Sequence, residues 1–467
     1  MVIGLDCAAP ELVFGRYKDE LPTLASLYRS GFHGELRSCI PAITVPAWSS
    51  MMSSKDPGTL GIYGFRNRRD YTYDNMFIAT NSYVKEPRVW DIAGEAGKQM
   101  ILVGVPQTFP IKPVNGITIS SFLTPSLESG FTWPESLAER VLSLAPNYQV
   151  DVRNFRTPDK DWLLQQIWDM TEARFEVLNH LMQTEPWDYF MWVEMGVDRM
   201  HHGLWSYMDP AHRRHEPGNK YENAIRDYYK LIDAQLARML GQIDDDTVVL
   251  VVSDHGGKKM DGGICVNEWL WRNGYLALHE DPPEDRFDAD GRRILTPFTK
   301  VEVDWANTTA WGSGGYYGRI FLNVEGREPQ GKVKREDYEA VRDELKARFE
   351  ALPGPDGEDI GTVVYKPQEI YQRIRNIAPD LLVYWGNLDW RSVGSFGHGG
   401  VYTFENDTGP DDANHAMNGL FILHDPRQPG GGQEIRGRQL MDVAPTLLDI
   451  MGIKPPADMQ GRHLLGE

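Results

Sequence analysis

Short apolar runs alternate with longer amphipathic stretches along the chain, and this alternation limits the possible folds more than any other feature. The runs are rich in β-branched and aromatic residues and lie at 1–6, 99–106, 115–122, 188–195, 246–255, 379–386 and 418–425. Amphipathic stretches at 159–183 and 221–243 separate some of them. Uninterrupted apolar strands are typical of parallel sheets, and strands that alternate with helices form a sheet wrapped by helices. The sequence therefore predicts an α/β fold with a mostly parallel central sheet flanked by helices.

One region departs from this alternation, between residues 266 and 380. It contains a charged loop at 279–293 and a helical pattern at 335–352. We interpret 266–380 as a smaller α+β insertion that forms a cap. The core then comprises 1–265 and 381–467. The apolar run at 379–386 is expected to return the chain to the main sheet.

Charge and composition exclude several classes of protein. The net charge is −19, from 48 basic and 67 acidic residues, which argues against nucleic acid as a stable partner. The three cysteines, Cys7, Cys39 and Cys265, match neither a disulfide framework nor a zinc knuckle. The first residues do not have the pattern of a signal peptide, and no apolar run approaches the roughly 20 residues that span a bilayer. We therefore expect a cytoplasmic protein without a membrane partner.

Polar side chains cluster at the ends of the predicted strands. Three carboxylates and three imidazoles have this placement: Asp6, Asp198, Asp254, His202, His255 and His415. Ligands of open α/β sheets bind beyond the carboxyl ends of the strands, so these side chains are expected to converge. Each alone is typical of a helix cap or of a pair on a helix surface. Together they form a mixed oxygen and nitrogen set that suits Zn²⁺ or Mn²⁺.

The stretch "PAITVPAWSSMM" at 41–52 contains a single threonine, Thr44, just before Pro46. Proline is favoured in the first turn of a helix, so a helix is predicted to begin here. Thr44 is then either a helix cap or a nucleophile at the helix start. The local sequence is compatible with both interpretations.

Several segments, taken in chain order with this polar set, resemble a known family. They are "TVPAWSSMMSSKDPGTLGIYGF" (44–65), "VDRMHHGLW" (197–205), "VNEWLWRNGYL" (266–276), "NVEGREPQG" (323–331) and "NHAMNGLFI" (414–422). The chain resembles the alkaline phosphatase superfamily, and within it the type I phosphodiesterase/nucleotide pyrophosphatase branch. The resemblance extends over nearly the whole sequence and implies an alkaline phosphatase-like fold.

The resemblance also implies a site and a reaction. Two divalent ions, Zn²⁺ or alternatively Mn²⁺, are expected, one bound by Asp6, Thr44, Asp254 and His255 and the other by Asp198, His202 and His415. Thr44 is expected to attack phosphorus and form a phospho-threonine intermediate during hydrolysis of a phosphodiester or phosphoanhydride in a small phosphorylated substrate. The alternatives are a phosphomonoesterase or phosphonate hydrolase with the same site, or a catalytically silent protein that binds a phosphorylated ligand.

Two other branches of the superfamily fit less well. Sulfatases need a Cys/Ser-x-Pro-x-Arg motif, whereas Cys39 is followed by Ile43 where the arginine should be. Phosphoglycerate mutases use a serine at the nucleophile position, which Thr44 disfavours. His398, in "FGHGG", is the rival of His415 as a ligand. The remaining histidines of interest, His201, His212 and His215, are interpreted as structural or solvated.

The substrate contacts are the least defined part of the site. Nucleotide pyrophosphatases carry an asparagine after the nucleophile helix, where this chain has Gly64 and Phe65. Guanidinium groups bind phosphate well, so arginines are expected to replace it. The candidates are Arg66, Arg68 and Arg69, with Tyr316, Tyr317 and Arg319 of the cap as the alternative.

Overall fold

The computed structural model describes residues 1–282, 286–289, 291 and 293–466, so part of the predicted charged loop at 279–293 lies outside the described residues. The strands are β1 (Val2–Leu5), β2 (Phe32–Arg37), β3 (Arg66–Arg68), β4 (Met76–Ile78), β5 (Met100–Val103), β6 (Gly116–Ile119), β7 (Thr132–Trp133), β8 (Tyr189–Glu194), β9 (Val249–Val252), β10 (Gly256–Lys259), β11 (Gly262–Cys265), β12 (Ala310–Ser313), β13 (Gly318–Leu322), β14 (Val363–Tyr365), β15 (Leu381–Tyr384), β16 (Trp390–Val393), β17 (Tyr402–Thr403), β18 (Ala413–Ala416), β19 (Asn418–His424), β20 (Gln433–Glu434) and β21 (Arg438–Gln439). The α-helices are α1 (Pro22–Ser30), α2 (Thr44–Ser53), α3 (Pro57–Leu60), α4 (Val89–Glu95), α5 (Leu137–Leu144), α6 (Lys160–Thr184), α7 (Gly196–Met208), α8 (Ala224–Leu240), α9 (Val266–Arg272), α10 (Tyr338–Glu350), α11 (Pro367–Ile370) and α12 (Val443–Ile450).

A large central sheet confirms the predicted α/β fold. Its strand order is β20-β2-β19-β9-β1-β8-β5-β6-β7, with β21 also beside β2. The central strands β9, β1, β8, β5 and β6 are parallel, and all residues of β1, β5, β8 and β9 are buried. Burial on both faces explains why these strands are uninterrupted apolar runs in the sequence. β19 is antiparallel to both of its neighbours, β2 and β9.

Helices predicted from amphipathic stretches form where expected, as α6, α8 and α10. Asp159 caps α6 by accepting a hydrogen bond from the Trp162 amide at 3.0 Å. α2 differs from these helices because every one of its residues is buried. Its sequence, TVPAWSSMMS, carries no charged side chain, as expected for a helix without a solvent face. Among the described residues, no helix has both the length and the apolar character needed to cross a membrane.

The chain divides into two compact units. The first consists of Met1–Phe65, Ala79–Lys258 and His415–Glu467, and the second of Arg66–Ile78 and Lys259–Asn414. The second unit therefore contains the whole of the predicted cap, together with more chain on both sides.

The apolar run at 379–386 is where the expected organisation needs correction. This run forms β15, which pairs with β13 and β14 in a four-stranded sheet of the second unit. The chain rejoins the first unit at His415 and not near 381. β15 is buried throughout, so its sequence has the same apolar pattern as a strand of the central sheet. The periodicity alone did not distinguish the two sheets.

Candidate metal centre and nucleophile

Three buried aspartates lie where adjacent parallel strands end. Asp6 follows β1, Asp254 follows β9 after one residue, and Asp198 lies in the first turn of α7, just after β8. β8 and β9 are the two neighbours of β1 in the sheet. The sheet topology therefore brings together side chains that are 192 and 248 residues from Asp6 in the sequence, from the numbering 198 − 6 and 254 − 6.

The first group of side chains consists of Asp6, Asp254 and His255. His255 Nε2 lies 3.2 Å from Asp254 Oδ2 and 3.8 Å from Asp6 Oδ1. These three atoms are buried and have no hydrogen-bond partner among the described residues. Unpaired carboxylate oxygens are costly in a protein interior. Two such oxygens converging with an imidazole nitrogen fit a divalent cation, which would compensate their charge.

The other polar atoms of this group are hydrogen-bonded, which fixes the orientation of each side chain. Trp48 Nε1 donates to Asp6 Oδ2 at 2.7 Å, and the Cys7 amide donates to Asp254 Oδ1 at 3.2 Å. His255 Nδ1 lies 3.1 Å from the carbonyl oxygen of Gly256, which assigns the ring proton to Nδ1. Nε2 then presents its lone pair toward the two carboxylates.

The second group consists of Asp198, His202 and His415. His202 Nε2 lies 3.2 Å from Asp198 Oδ1 and 3.2 Å from His415 Nε2, which is 4.0 Å from the same Asp198 oxygen. His415 Nδ1 lies 2.8 Å from the Ala42 carbonyl oxygen. The His415 ring stacks on that of His255 with centroids 3.9 Å apart, so the two groups adjoin.

The two histidines that compete for a place in this group belong to different compact units. His415 lies in the first unit with Asp198 and His202, whereas His398 belongs to the second unit. His398 Nε2 lies 2.9 Å from Ser395 Oγ. The arrangement favours His415, and its role as a ligand stays a prediction.

Thr44 is the first residue of α2 and is nearly buried, with 4% exposure. Ile43 occupies the cap position, and no side chain caps the helix, which does not support the interpretation of Thr44 as a cap. The Thr44 segment is connected to both groups, through Ala42 to His415 and through Trp48 to Asp6. Trp48 follows Thr44 by four residues, so both project from the same face of α2. The first amides of a helix lack intrahelical acceptors and favour an anion.

Arg199 holds the second oxygen of Asp198. It donates to Asp198 Oδ2, and its Nε and a terminal nitrogen donate to the two oxygens of Asp151 at 2.9 and 2.7 Å. Sequence reasoning missed Arg199, Asp151, Trp48 and Cys7. The sequence did contain a signal for two of them. Arg199 is the neighbour of Asp198, and Trp48 lies one helical turn after Thr44. Asp151 had none, because it is 48 residues away from Arg199.

The titration of these groups reflects their burial. Burial, and then the charges of neighbouring aspartates, raise the pKa values of Asp6 and Asp254 well above their usual range. Burial lowers the pKa of His255 to about 4, so this imidazole is neutral at pH 7 and can act as a ligand. Burial also acts to raise the pKa of Asp198, but His202 and Arg199 outweigh it and hold the pKa well below its usual value.

These shifts predict that stabilisation by a metal depends on pH. The pKa values of Asp6 and Asp254 in the folded, metal-free chain exceed the unfolded value of 3.8. The protonated carboxyl groups therefore contribute their full stabilisation of the fold below pH 3.8. This stabilisation is lost as the pH rises through the raised pKa values. A cation binds the ionised form in competition with protons. We expect the increase in Tm on adding Zn²⁺ to chelator-treated protein to be small at pH 5 and to grow toward pH 8. Thermal unfolding across this range measures it, with Asp6→Asn as the control that should flatten the trend. An equal increase at every pH would contradict binding by these carboxylates.

The three candidate arginines lie in the second unit and differ in their surroundings. Arg68 is buried and donates to Glu328 at 3.1 Å. Its guanidinium also lies over the rings of Tyr71, Trp311 and Phe321. This environment favours a structural role for Arg68. Arg66 and Arg69 are exposed, and the Arg69 guanidinium lies 5.3 Å from the ring of Phe77.

The alternative set also lies in the second unit. Tyr316 donates to Asp411 Oδ2 at 2.8 Å, and the ring of buried Tyr317 is 6.4 Å from that of Tyr384. Arg319 is buried and donates to the Arg66 carbonyl and, at 2.8 Å, to Ser313 Oγ. These contacts hold Arg319 and Tyr316 within the second unit, and their role toward a substrate stays a prediction.

The matching family agrees with the resemblance in the sequence. The family model of type I phosphodiesterase / nucleotide pyrophosphatase matches residues 1–411. The chain belongs to this family. This family consists of phosphohydrolases and is part of the alkaline phosphatase superfamily. The membership predicted from the sequence is therefore confirmed.

Solved structures share the fold of this family member over nearly its whole length. Murine ectonucleotide pyrophosphatase/phosphodiesterase 5 is 13% identical, with a TM-score of 0.55 over 97% of this chain and 95% of that one. Phosphonoacetate hydrolase from Sinorhizobium meliloti 1021, in complex with phosphonoformate, is 14% identical, with a TM-score of 0.56 over 96% of this chain and 94% of that one. At such low identity the likeness concerns the fold.

A short segment of this phosphodiesterase-family chain also matches a curated protein. It is 38% identical over 77 residues to the 2,3-bisphosphoglycerate-independent phosphoglycerate mutase of Gloeobacter violaceus. The match covers 15% of this chain and 14% of the length of that mutase. It therefore carries no conclusion about the activity of the whole chain.

Proposed function

We propose that this family member hydrolyses phosphodiesters or phosphoanhydrides of small phosphorylated substrates, with Thr44 as the nucleophile. The observation that carries the proposal is the set of three unpaired buried atoms, Asp6 Oδ1, Asp254 Oδ2 and His255 Nε2, tied through Trp48 to the helix that Thr44 begins. The described residues offer these three atoms no hydrogen bond, and the two carboxylates call for a compensating charge. A divalent cation supplies one.

Two adjoining groups would hold two ions. Asp6, Thr44, Asp254 and His255 would bind the first, and Asp198, His202 and His415 would bind the second. The oxygen and nitrogen donors suit Zn²⁺, with Mn²⁺ as the alternative. Such ions, when bound, lower the pKa of a hydroxyl and stabilise the attacking and leaving oxygens.

The side chains of the first unit account for the remaining parts of the reaction. The Thr44 hydroxyl loses its proton to solvent and its oxygen forms a bond to phosphorus, while the bond to the leaving oxygen breaks and phospho-threonine results. Water then hydrolyses this ester and restores the hydroxyl. The amides at the start of α2 favour the negative charge of the phosphoryl group. Trp48 fixes the Asp6 carboxylate and the Ala42 carbonyl fixes the His415 ring, and both come from the segment that contains Thr44.

The ligands bound in related structures support a small phosphoryl ligand. An inactive threonine-to-alanine variant of murine ectonucleotide pyrophosphatase/phosphodiesterase 5 was solved in complex with AMP. The Sinorhizobium hydrolase was solved with phosphonoacetate and with phosphonoformate. For this chain, the exposed guanidinium groups of Arg66 and Arg69 are the preferred candidates to contact the substrate, since Arg68 is already paired with Glu328.

Metal analysis combined with model substrates tests the proposed function. The purified protein should hold close to two divalent ions per chain and should hydrolyse bis-p-nitrophenyl phosphate faster than p-nitrophenyl phosphate. Chelator should abolish both activities, and Zn²⁺ or Mn²⁺ should restore them. Faster hydrolysis of the monoester or of a phosphonate would reassign the substrate class. Bound metal without turnover of any of these substrates would support a silent phospho-ligand binding protein, and full activity without metal would refute the mechanism.

A further inference from the structure

Cys7 is a buried residue beside the second group that the proposed reaction does not use. It follows Asp6 directly, and its side chain has no exposure to solvent. Its sulfur and ligand atoms of Asp198 and His202 all lie within 4.8 Å of one another. The neighbours of this thiol are therefore a carboxylate and an imidazole, in contrast to the apolar surroundings usual for a buried cysteine.

The backbone at Cys7 is also unusual. Its φ is 66°, in the left-handed region that favours glycine, although a side chain is present. A second buried imidazole lies nearby, since a Cβ atom built on Gly257 would meet both His201 Nδ1, at 2.6 Å, and Cys7 Sγ, at 3.1 Å. His201 Nδ1 has no hydrogen-bond partner among the described residues. A thiol, a carboxylate and two imidazoles thus share one buried region.

We propose that the Cys7 sulfur is a further ligand of the ion held by Asp198, His202 and His415. The proposal rests on the proposed function, because it needs that ion to bind. With Cys7 the set comprises one sulfur, one oxygen and two nitrogens, and catalytic Zn²⁺ can expand to five ligands, which leaves one position for a phosphoryl oxygen. On binding, the S–H bond breaks, the proton passes to the buffer, and the sulfur donates the electron pair that it keeps.

A sulfur ligand changes which metal the second group prefers. Thiolate is a soft ligand and selects Zn²⁺ or Co²⁺ over Mn²⁺ or Mg²⁺, which prefer oxygen. The first group, with its two carboxylates and one imidazole, lacks this preference. The two groups are therefore expected to differ, with the second more selective for Zn²⁺. A mixed preparation with Zn²⁺ in the second group and Mn²⁺ in the first follows from this difference.

The other two cysteines provide matched controls. Cys39 is buried, and its sulfur lies 3.3 Å from the Pro41 carbonyl oxygen. Cys265 is buried in β11 of the second unit. Within the described part of the chain, neither belongs to a group of side chains spaced to hold a metal ion. Changing either of them removes one buried thiol without altering the second group.

Cobalt absorption spectroscopy tests the proposal without relying on activity. Wild-type protein loaded with Co²⁺ should show an intense near-ultraviolet sulfur-to-cobalt charge-transfer band together with visible d–d bands. Cys7→Ser and Cys7→Gly should lose the charge-transfer band and keep d–d bands, whereas Cys39→Ser and Cys265→Ser should keep both. Cys7→Gly is the second variant because glycine adopts a φ of 66° without strain, so this variant is expected to fold even if Cys7→Ser does not.

The outcomes separate this inference from the proposed function. Bound Co²⁺ with d–d bands but no charge-transfer band in the wild type would refute Cys7 as a ligand and leave the metal site in place. No bound Co²⁺ at all would refute the metal site itself. Competition titrations should also show the affinity for Zn²⁺ of Cys7→Ser lowered by about tenfold or more, with that for Mn²⁺ nearly unchanged. Equal losses for both metals would point to a structural effect and overturn the inference.

Discussion

Replacement of Thr44 by alanine should lower kcat by roughly four orders of magnitude or more, because it removes the atom that forms the covalent bond to phosphorus. The fold should survive, since alanine is a good helix former and α2 begins with Ile43 as its cap. Steady-state kinetics with bis-p-nitrophenyl phosphate measure the loss. Metal analysis of the same preparation should show most of the metal retained, because the other proposed ligands are unchanged.

The conservative variant Thr44→Ser is the matched control for this result. Serine keeps a hydroxyl at the start of α2, so part of the activity should remain. Thr44→Ser and Thr44→Ala should differ far more in kcat than in Tm. An alanine variant that keeps more than about a tenth of the wild-type rate would remove Thr44 from the mechanism.

The second large effect is expected at His415. His415→Ala should lose one of the two ions and most of the activity, because the side chain stacks on the His255 ring and its Nε2 lies 3.2 Å from His202 Nε2. His398→Ala should keep both ions and near-wild-type kcat, since His398 contacts Ser395 in the second unit. Metal content after gel filtration and kcat on the same sample provide the comparison. Loss of an ion from His398→Ala alone would reverse the assignment.

The central sheet could be predicted because its strands combine burial on both faces with short length. The runs that form β1, β5, β8 and β9 satisfy both conditions. β15 satisfies them as well but belongs to another sheet, because a strand's own residues report its burial and not its partners. The antiparallel direction of β19 was also invisible in its sequence. Both features depend on pairing with strands that are far away along the chain.

The sequence predicted that the candidate site residues converge, and this prediction needed only one rule. The carboxyl ends of parallel strands lie at the same edge of a sheet. Asp6 and Asp254 lie close together because β1 and β9 are paired in register. The contacts that orient these carboxylates did not follow from the rule. They come from Trp48 and the Cys7 amide, and such bonds depend on side-chain packing and local backbone conformation. The ion pair between Arg68 and Glu328 was likewise hidden, since it joins residues 260 positions apart.

The position of β19 between β2 and β9 has a consequence for biosynthesis. A ribosome adds about 5–20 residues per second, so roughly 20–80 s pass between the synthesis of β2 and that of β19. Until β19 is made, β2 lacks all of its partner strands, and β9, once translated, presents an unpaired edge. Exposed strand edges pair with other chains. The nascent protein is therefore expected to need chaperone protection until β19 has been translated.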